Sequence, residues 1–248
     1  MGLPTTLLGL GLQLRADADA ARRQHVATLA GRLGYESVWF DAAPGDAGVL
    51  DEIGAALAAG VTRVGAVFTG PPEAAPEWVR IAGAAHPELL VDIPGEAGPA
   101  CVAALGGTGE WSRRGYVRGM PDPAAAGVVL SSASRAQAAA LAAAAARART
   151  DGNPGLRVGV ALGVSIGRTM SEAQARVARD PFLAATGVCE AGLFGPFEQA
   201  QEQVLALAAA GVDWIRADLA DEQDIADLLA QLRAAAVGPV HVLHDRGR

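Results

Sequence analysis

The chain contains no lysine. All 20 of its basic residues are arginine, and the absence removes whole classes of chemistry, since a Schiff-base aldolase, a pyridoxal-phosphate enzyme and a Walker-A nucleotide site each require a lysine amine. A GC-rich coding bias accounts for the arginine and alanine excess, so the missing lysine limits chemistry without indicating one. Cysteine is nearly as scarce. Cys101 and Cys189 lie far apart without C-x-x-C spacing, which speaks against a zinc site, and Cys101, inside an apolar run, reads as a small inert core residue. The four histidines, His25, His86, His241 and His244, form no pattern that would activate a thiol. His25 on an arginine-rich helix and His86 at a helix end read as solvated or capping residues.

Positive charge is also in deficit. A net charge of −7 without a basic stripe argues against a nucleic-acid surface. No run approaches the roughly 20 uninterrupted apolar residues of a membrane span. MGLPTTLLGLGLQL is apolar but lacks a basic n-region, so it reads as a first strand and not a signal peptide. The expectation is a cytoplasmic protein with no membrane partner.

What is present is an alternation of short apolar runs with alanine-rich helical stretches. The runs predict strands at Leu7–Leu14, Ser37–Phe40, Arg63–Phe68, Leu89–Ile93, Ala100–Leu105, Gly127–Leu130, Arg157–Val164 and Trp214–Leu219. Helices are predicted at Asp17–Leu33, Val49–Ala59, Pro76–Ala85, Arg135–Arg149, Ser171–Thr186, Phe197–Ala210 and Glu222–Ala235. Gly34 and Gly211 sit where a left-handed residue ends a helix, and Thr169 to Glu172 spells a capping box. At 248 residues the chain suits one α/β domain spanning 1–248, and eight continuous apolar strands favour a closed TIM-type barrel over an open sheet. An open dinucleotide-binding sheet is the competitor. Its glycine fingerprint is incomplete, because position 14 in GLGLQLR is leucine.

One spacing is irregular. In LLVDIPGEAGPACVAALGG only Pro94–Pro99 separates two runs that both read as buried strands. Parallel neighbours normally need a crossover of about a dozen residues, and six extended residues reach roughly 20 Å. The expectation is a barrel whose helix between strands four and five has been deleted, with Ala100–Leu105 returning helix-free, pairing antiparallel or leaving the barrel. Gly107–Ala126 then reads as a loop with at most a turn or two of helix.

Barrels place chemistry at the C-terminal strand ends. Here those ends hold Gln13, Arg15, Asp41, Phe68, Thr69, Glu96, Gly106, Gly107, Ser131, Ser132, Ser165 to Thr169, Arg216 and Asp218. Asp41 and Glu96 are the best-placed carboxylates for proton transfer, although Asp41 equally suits a turn cap and Glu96 a solvated loop. LGGTG at 105 to 109 suits a phosphate, a flat ring or a plain turn. SIGRT at 165 to 169, with Arg168 at a helix start, suits an anion or simply a capped surface helix.

Taken together, LAGRLGYESVWFDAAPG, LDEIGAALAAGVTRVGAVFTGPP, PACVAALGG, AAGVVLSSASRAQAAALAAAAARAR, LRVGVALGVSIGRTMSEAQAR and LFGPFEQAQEQVLALAAAGVDWIRADL resemble, in family order, the luciferase-like flavin- and deazaflavin-dependent oxidoreductases. The resemblance implies a (β/α)8 barrel holding reduced coenzyme F-420 (a deazaflavin) or FMN, with hydride transfer to a small organic substrate or its monooxygenation. It implies that Asp41 closes strand two, that Val67, Phe68 and Thr69 form the ring face, where many members carry a bulged cis peptide, and that Gly95 and Glu96 stand where some members place an acid. Ala104, Gly106 and Gly107 then approach the cofactor's phosphate-bearing tail, Ser131 and Ser132 complete the cofactor set, and Arg168 and Arg216 contact substrate. A homodimer through the outer helices is expected. Three departures stand out: Ala42 replaces a frequent histidine, the wall after strand four is missing, and the helix after strand five is eroded. They motivate an alternative, a non-catalytic relative acting as a binding or scaffold protein. A third reading, an isomerase or lyase holding a phosphorylated substrate at Ser165–Thr169 with Glu96 and Asp218 as acid and base, has the least support.

Overall fold

Short runs of β-branched and aromatic residues closed by glycine or proline form the strands, and the alanine-rich stretches between them form the helices. The computed structural model describes residues 8–46, 48–119, 122, 124–131, 135–151, 153–219 and 225–237. Among them the strands are β1 (Gly9–Leu14), β2 (Ser37–Ala42), β3 (Val64–Phe68), β4 (Leu90–Pro94), β5 (Gly115–Arg118), β6 (Gly127–Leu130), β7 (Arg157–Gly167), β8 (Leu193–Pro196) and β9 (Trp214–Leu219). The helices are α1 (Ala20–Arg32), α2 (Gly48–Ala58), α3 (Ala75–Ala85), α4 (Gly98–Ala104), α5 (Thr108–Arg114), α6 (Arg135–Asp151), α7 (Met170–Arg179), α8 (Pro181–Ala185), α9 (Val188–Ala191), α10 (Phe197–Ala209) and α11 (Ile225–Val237).

Every strand pairing is parallel. Strands β1 to β7 pair in chain order and β9 pairs with both β7 and β1, so eight strands close a barrel. Strand β8 pairs with the last residues of β7, Val164 to Gly167. The outer strand faces and the helices share a large apolar cluster that includes Phe40, Ile53, Phe68, Val79, Ile93, Val160 and Leu228.

The barrel interior has a second, aromatic core. Trp39 of β2 and Trp214 of β9 stack with ring centroids 5.6 Å apart, and Tyr116 of β5 meets them edge-on at 5.4 and 5.7 Å, a favourable arrangement of ring quadrupoles. Room for three large rings comes from glycine on neighbouring strands. A Cβ on Gly65 would stand 2.3 Å from the Trp39 ring, one on Gly159 2.3 Å from Trp214, and one on Gly127 2.6 Å from Tyr116. Three of the eleven aromatic residues thus close the barrel's lower half. Trp39 Nε1 donates to Ser37 Oγ at 2.9 Å, and Glu36 below pairs with Arg63 and Arg157.

The segment after β4 corrects the expected deletion. Ala100–Leu105 is neither a parallel nor an antiparallel strand: it falls in and just after α4, and residues 95–114 hold a short 3-10 turn, α4 and α5 before β5 begins. The crossover is thus helical and long enough for a parallel return. The run is apolar because Cys101 and Leu105, one helical turn apart, are buried, while Ala100 and Ala103 are exposed; a run of six is too short to distinguish a strand from a helix face. Pro99 opens the helix. Past its end, Gly106 at φ +100° lets the Gly106 and Gly107 N–H groups reach the Ala103 and Val102 carbonyls.

Strands β5 and β8 were not expected: four residues long like β6, they lack its unbroken apolar run, GYVR ending on arginine and LFGP on Gly-Pro. The helix expected over Ser171–Thr186 breaks in two, because the Asp180 side chain accepts from the Phe182 and Leu183 N–H groups and Pro181 starts α8. Leu7 and Glu222, the first residues of an expected strand and an expected helix, lie outside the described residues, as do His241 and His244. His25 is exposed, and His86 caps α3 with its Nε2 2.8 Å from the Leu50 carbonyl.

Gly65→Ala and Gly159→Ala are expected to lower stability by about 1–3 kcal/mol each through overpacking against the tryptophans. Gly109→Ala, where a Cβ meets nothing within 4 Å, should leave stability unchanged or slightly raised; denaturant unfolding of the three variants checks this, and equal effects at all three positions would show that the interior glycines are not required by the rings.

Candidate active site

Strand alternation decides what faces the upper barrel. Above the aromatic core the inward positions are Gln13, Asp41, Val67, Thr69, Arg118, Ser131, Ala161, Gly163, Arg216 and Asp218, and together with α8, α9 and Gly192 they bound a cavity of about 690 Å3 at the C-terminal mouth. Its wall is lined by small or apolar groups, Val67, Ala161, Leu162 and Val188, and its floor is charged.

The floor is built on Asp92 of β4, which is 0% exposed. Arg216 of β9, 3% exposed, donates through Nη1 to Asp92 Oδ2, and Arg118 Nε lies 3.2 Å from Asp92 Oδ1. A second Arg118 nitrogen, Nη2, donates to the Phe68 carbonyl, and the Arg216 guanidinium lies 5.5 Å from the Trp39 ring centroid. Asp92 and Arg118 were missed in the sequence. The available signal was an aspartate inside the apolar run LLVDIP: a buried charge requires a partner, and the arginine closing YVR supplies one.

At the rim, Gln13 Nε2 donates to Asp41 Oδ1 at 2.7 Å and the Ala16 N–H approaches Asp41 Oδ2 at 3.4 Å. Burial pushes the Asp41 pKa up, against the pull of those two donors and of Arg216. Asp218, 8% exposed, has no hydrogen-bond partner at Oδ1 and lies 3.8 Å from Arg15 Nε. Burial pushes it up to about 7, with Arg15 and Arg216 pulling down and Asp41 and Asp180 pushing up. Arg15 is committed to Asp180, to which it donates at 3.0 and 3.3 Å, and it lies 4.8 Å from the Phe182 ring centroid. The DPF turn that splits the helix thus carries Phe182 and Thr186 onto the cavity.

The predicted residues divide sharply. Asp41, Val67, Thr69, Ser131 and Arg216 converge on the cavity with Asp218. Phe68 points outward and packs on Trp78 at 5.5 Å, and no peptide among the described residues is cis, Val67–Phe68 included. Gly95 and Glu96 form a 3-10 turn beyond β4 with Glu96 exposed. Ala104, Gly106 and Gly107 end the descending helix α4, where Leu105 meets Gly83 late in α3; this replaces the strand end at which they were expected to meet a phosphate. Arg168 is exposed, and the helix start beside it is occupied by the protein's own groups: Thr169 accepts from the Glu172 N–H and Glu172 from the Arg168 N–H. Ser165 is buried and donates to the Ala173 carbonyl, so Ser165–Thr169 does not form the expected anion site. Ser132 lies outside the described residues. Cys101 is buried with its thiol pushed up to about 11 by burial, and no cluster of potential metal ligands occurs among the described residues.

No family model and no curated protein matches the chain. Solved structures do match. The coenzyme F-420-dependent tetrahydromethanopterin reductase of Methanopyrus kandleri overlays with a TM-score of 0.64 at 10% identity, covering 93% of this chain and 99% of that one. The oxygenating constituent of the 3,6-diketocamphane monooxygenase of Pseudomonas putida, in complex with FMN, gives 0.66 at 10% identity over 93% and 98%. The orotidine 5'-phosphate decarboxylase of Pyrococcus horikoshii OT3 gives 0.56 at 12% identity over 93% and 100%. At these identities the likeness establishes a shared barrel fold.

A carboxyl group whose pKa is raised on folding binds an extra proton in the native state between the ordinary carboxylate range and about 7. Its contribution to stability therefore falls as pH rises through that window and is least favourable above it. Asp218→Asn should gain stability relative to the parent on going from pH 5 to pH 8, by up to about 3 kcal/mol; a pH-independent difference in urea unfolding would show that Asp218 is ionised throughout.

Proposed function

We propose that the chain is a luciferase-like oxidoreductase that holds the ring of reduced coenzyme F-420 or FMN in the cavity at the C-terminal mouth. The observation that carries this reading is the cavity itself, a chamber of about 690 Å3, within the usual range for ligand pockets, with an apolar wall and a buried acid at its rim. Fold likeness adds support, because the reductase and the monooxygenase overlay more closely than the decarboxylase.

The residues present fit a flat ring better than a phosphate-bearing tail. Val67, Ala161 and Gly163 offer an inward face without bulk, and Asp218 Oδ1 is a buried polar atom without a hydrogen-bond partner, 3.8 Å from Arg15. The glycines expected to meet the tail lie elsewhere, so the tail is assigned no contact. When bound, the cofactor supplies hydride to the substrate or electrons to oxygen, and the protein needs to supply a slot and a proton. Val67, Ala161, Leu162 and Val188 exclude water and orient the ring. Asp218, with its pKa near 7, is about half protonated at neutral pH and gives its proton to a developing substrate oxygen; the proton is restored from solvent at the mouth, where Asp41, oriented by Gln13, passes it inward.

The scaffold alternative drew on a missing wall and on Ala42. Helices α4 and α5 occupy the crossover after β4 that was expected to be missing, and Ala42 is fully buried, with its carbonyl accepting from the Thr69 N–H.

Titrating the purified protein with FMN and with coenzyme F-420, followed by calorimetry, should give micromolar binding for at least one of them. Ala161→Leu, which fills the slot, should weaken that binding about tenfold or more without altering the far-ultraviolet circular dichroism. Absence of binding by both cofactors overturns the reading.

A further inference from the structure

The floor of the cavity is charge-mismatched. Two guanidinium groups share one carboxylate: Arg216 and Arg118 both meet Asp92. Asp92 Oδ2 accepts from Arg216 Nη1 and Asp92 Oδ1 lies 3.2 Å from Arg118 Nε without a hydrogen bond, and the Arg216 Nε likewise has no acceptor although the residue is 97% removed from solvent. Removing a cation from water is costly unless an anion and hydrogen-bond acceptors replace the water. The guanidinium is also held in place, by Asp92 on one edge and the Trp39 ring 5.5 Å away, so its fork is preorganised for a planar two-oxygen ligand.

We propose that the cavity takes its organic substrate as a monocarboxylate, with the carboxylate on Arg216 and Arg118 and the apolar remainder toward Phe182 and Ala191, the lining that the ring leaves free. The charge count favours a single negative charge. Two arginines and one aspartate leave the floor one positive charge in excess, and a dianion such as phosphate would carry a second charge toward Asp41 and Asp218 at the rim. The proposal names the substrate class of the oxidoreductase reading and rests on it for the identity of the reaction, but carboxylate binding is measurable on the protein alone.

The test is calorimetric titration of the full chain, without added cofactor, using benzoate, benzamide, benzyl alcohol and inorganic phosphate. Benzoate is expected to bind about tenfold or more tightly than benzamide or benzyl alcohol, the difference made by a charge-assisted pair over a neutral one, and Arg118→Gln should remove most of that preference. Arg216→Gln leaves Asp92 short of a partner and can compromise folding, so it is combined with Asp92→Asn and Arg118→Gln; the triple variant, uncharged at the floor, should fold and bind the three aromatic probes equally. Equal affinity of the three probes for the parent protein, no binding of benzoate, or a benzoate preference that survives both sets of substitutions overturns the proposal. Tighter binding of phosphate than of benzoate overturns the carboxylate assignment. Failure of the cofactor titration with a positive benzoate result would remove the oxidoreductase reading and leave the carboxylate site standing; the reverse pattern would do the opposite.

Discussion

The arrangement of the upper barrel depends on one buried carboxylate. Asp92 lies inside the ring of strands with no solvent exposure, and its two arginine partners come from β5 and β9, so a single group ties the barrel together across its interior. Such a cluster is a weak source of net stability, since desolvation offsets much of the Coulomb attraction. Its value is positional. It fixes both guanidinium groups at one height and sets the floor of the space above.

Below that floor the barrel is filled and above it the barrel is open, and the difference lies in side-chain size at inward positions. Trp39, Tyr116 and Trp214 meet glycine on adjacent strands, and large against small gives a dry, interlocked layer. Higher up, Val67, Thr69, Ser131, Ala161 and Gly163 are too small to fill the space between Gln13, Asp41, Arg118, Arg216 and Asp218. The cavity is therefore a consequence of the same alternation that builds the core. The α8–α9 segment, turned over the mouth by the Asp180 cap, completes its wall.

Much of this was legible along the chain. The closed parallel barrel follows from regular strand and helix alternation, and Asp41, Thr69, Ser131, Arg216 and Asp218 were found simply as strand ends. Most of the errors share a cause. Ala100–Leu105 was read as a strand because six apolar residues carry no usable periodicity, and from that misreading came the expected deletion, the glycine phosphate site and the exposed Glu96 as an acid. GYVR and LFGP escape detection because each holds only two consecutive apolar residues beside glycine, arginine or proline, whereas the equally short GVVL is legible; GYVR carries Arg118.

By itself the sequence determined which chemistry is out of reach, through the absence of lysine and of clustered cysteine and histidine, and it determined the order of strands and helices, because those depend on neighbours a few positions apart. Only the tertiary structure decided which side chains meet. Asp92, Arg118 and Arg216 are spread over more than a hundred residues of chain, and nothing local distinguishes Arg216 from the other nineteen arginines. Their pairing is fixed by barrel closure and strand register, which bring them to one height in a space too dry for a lone charge.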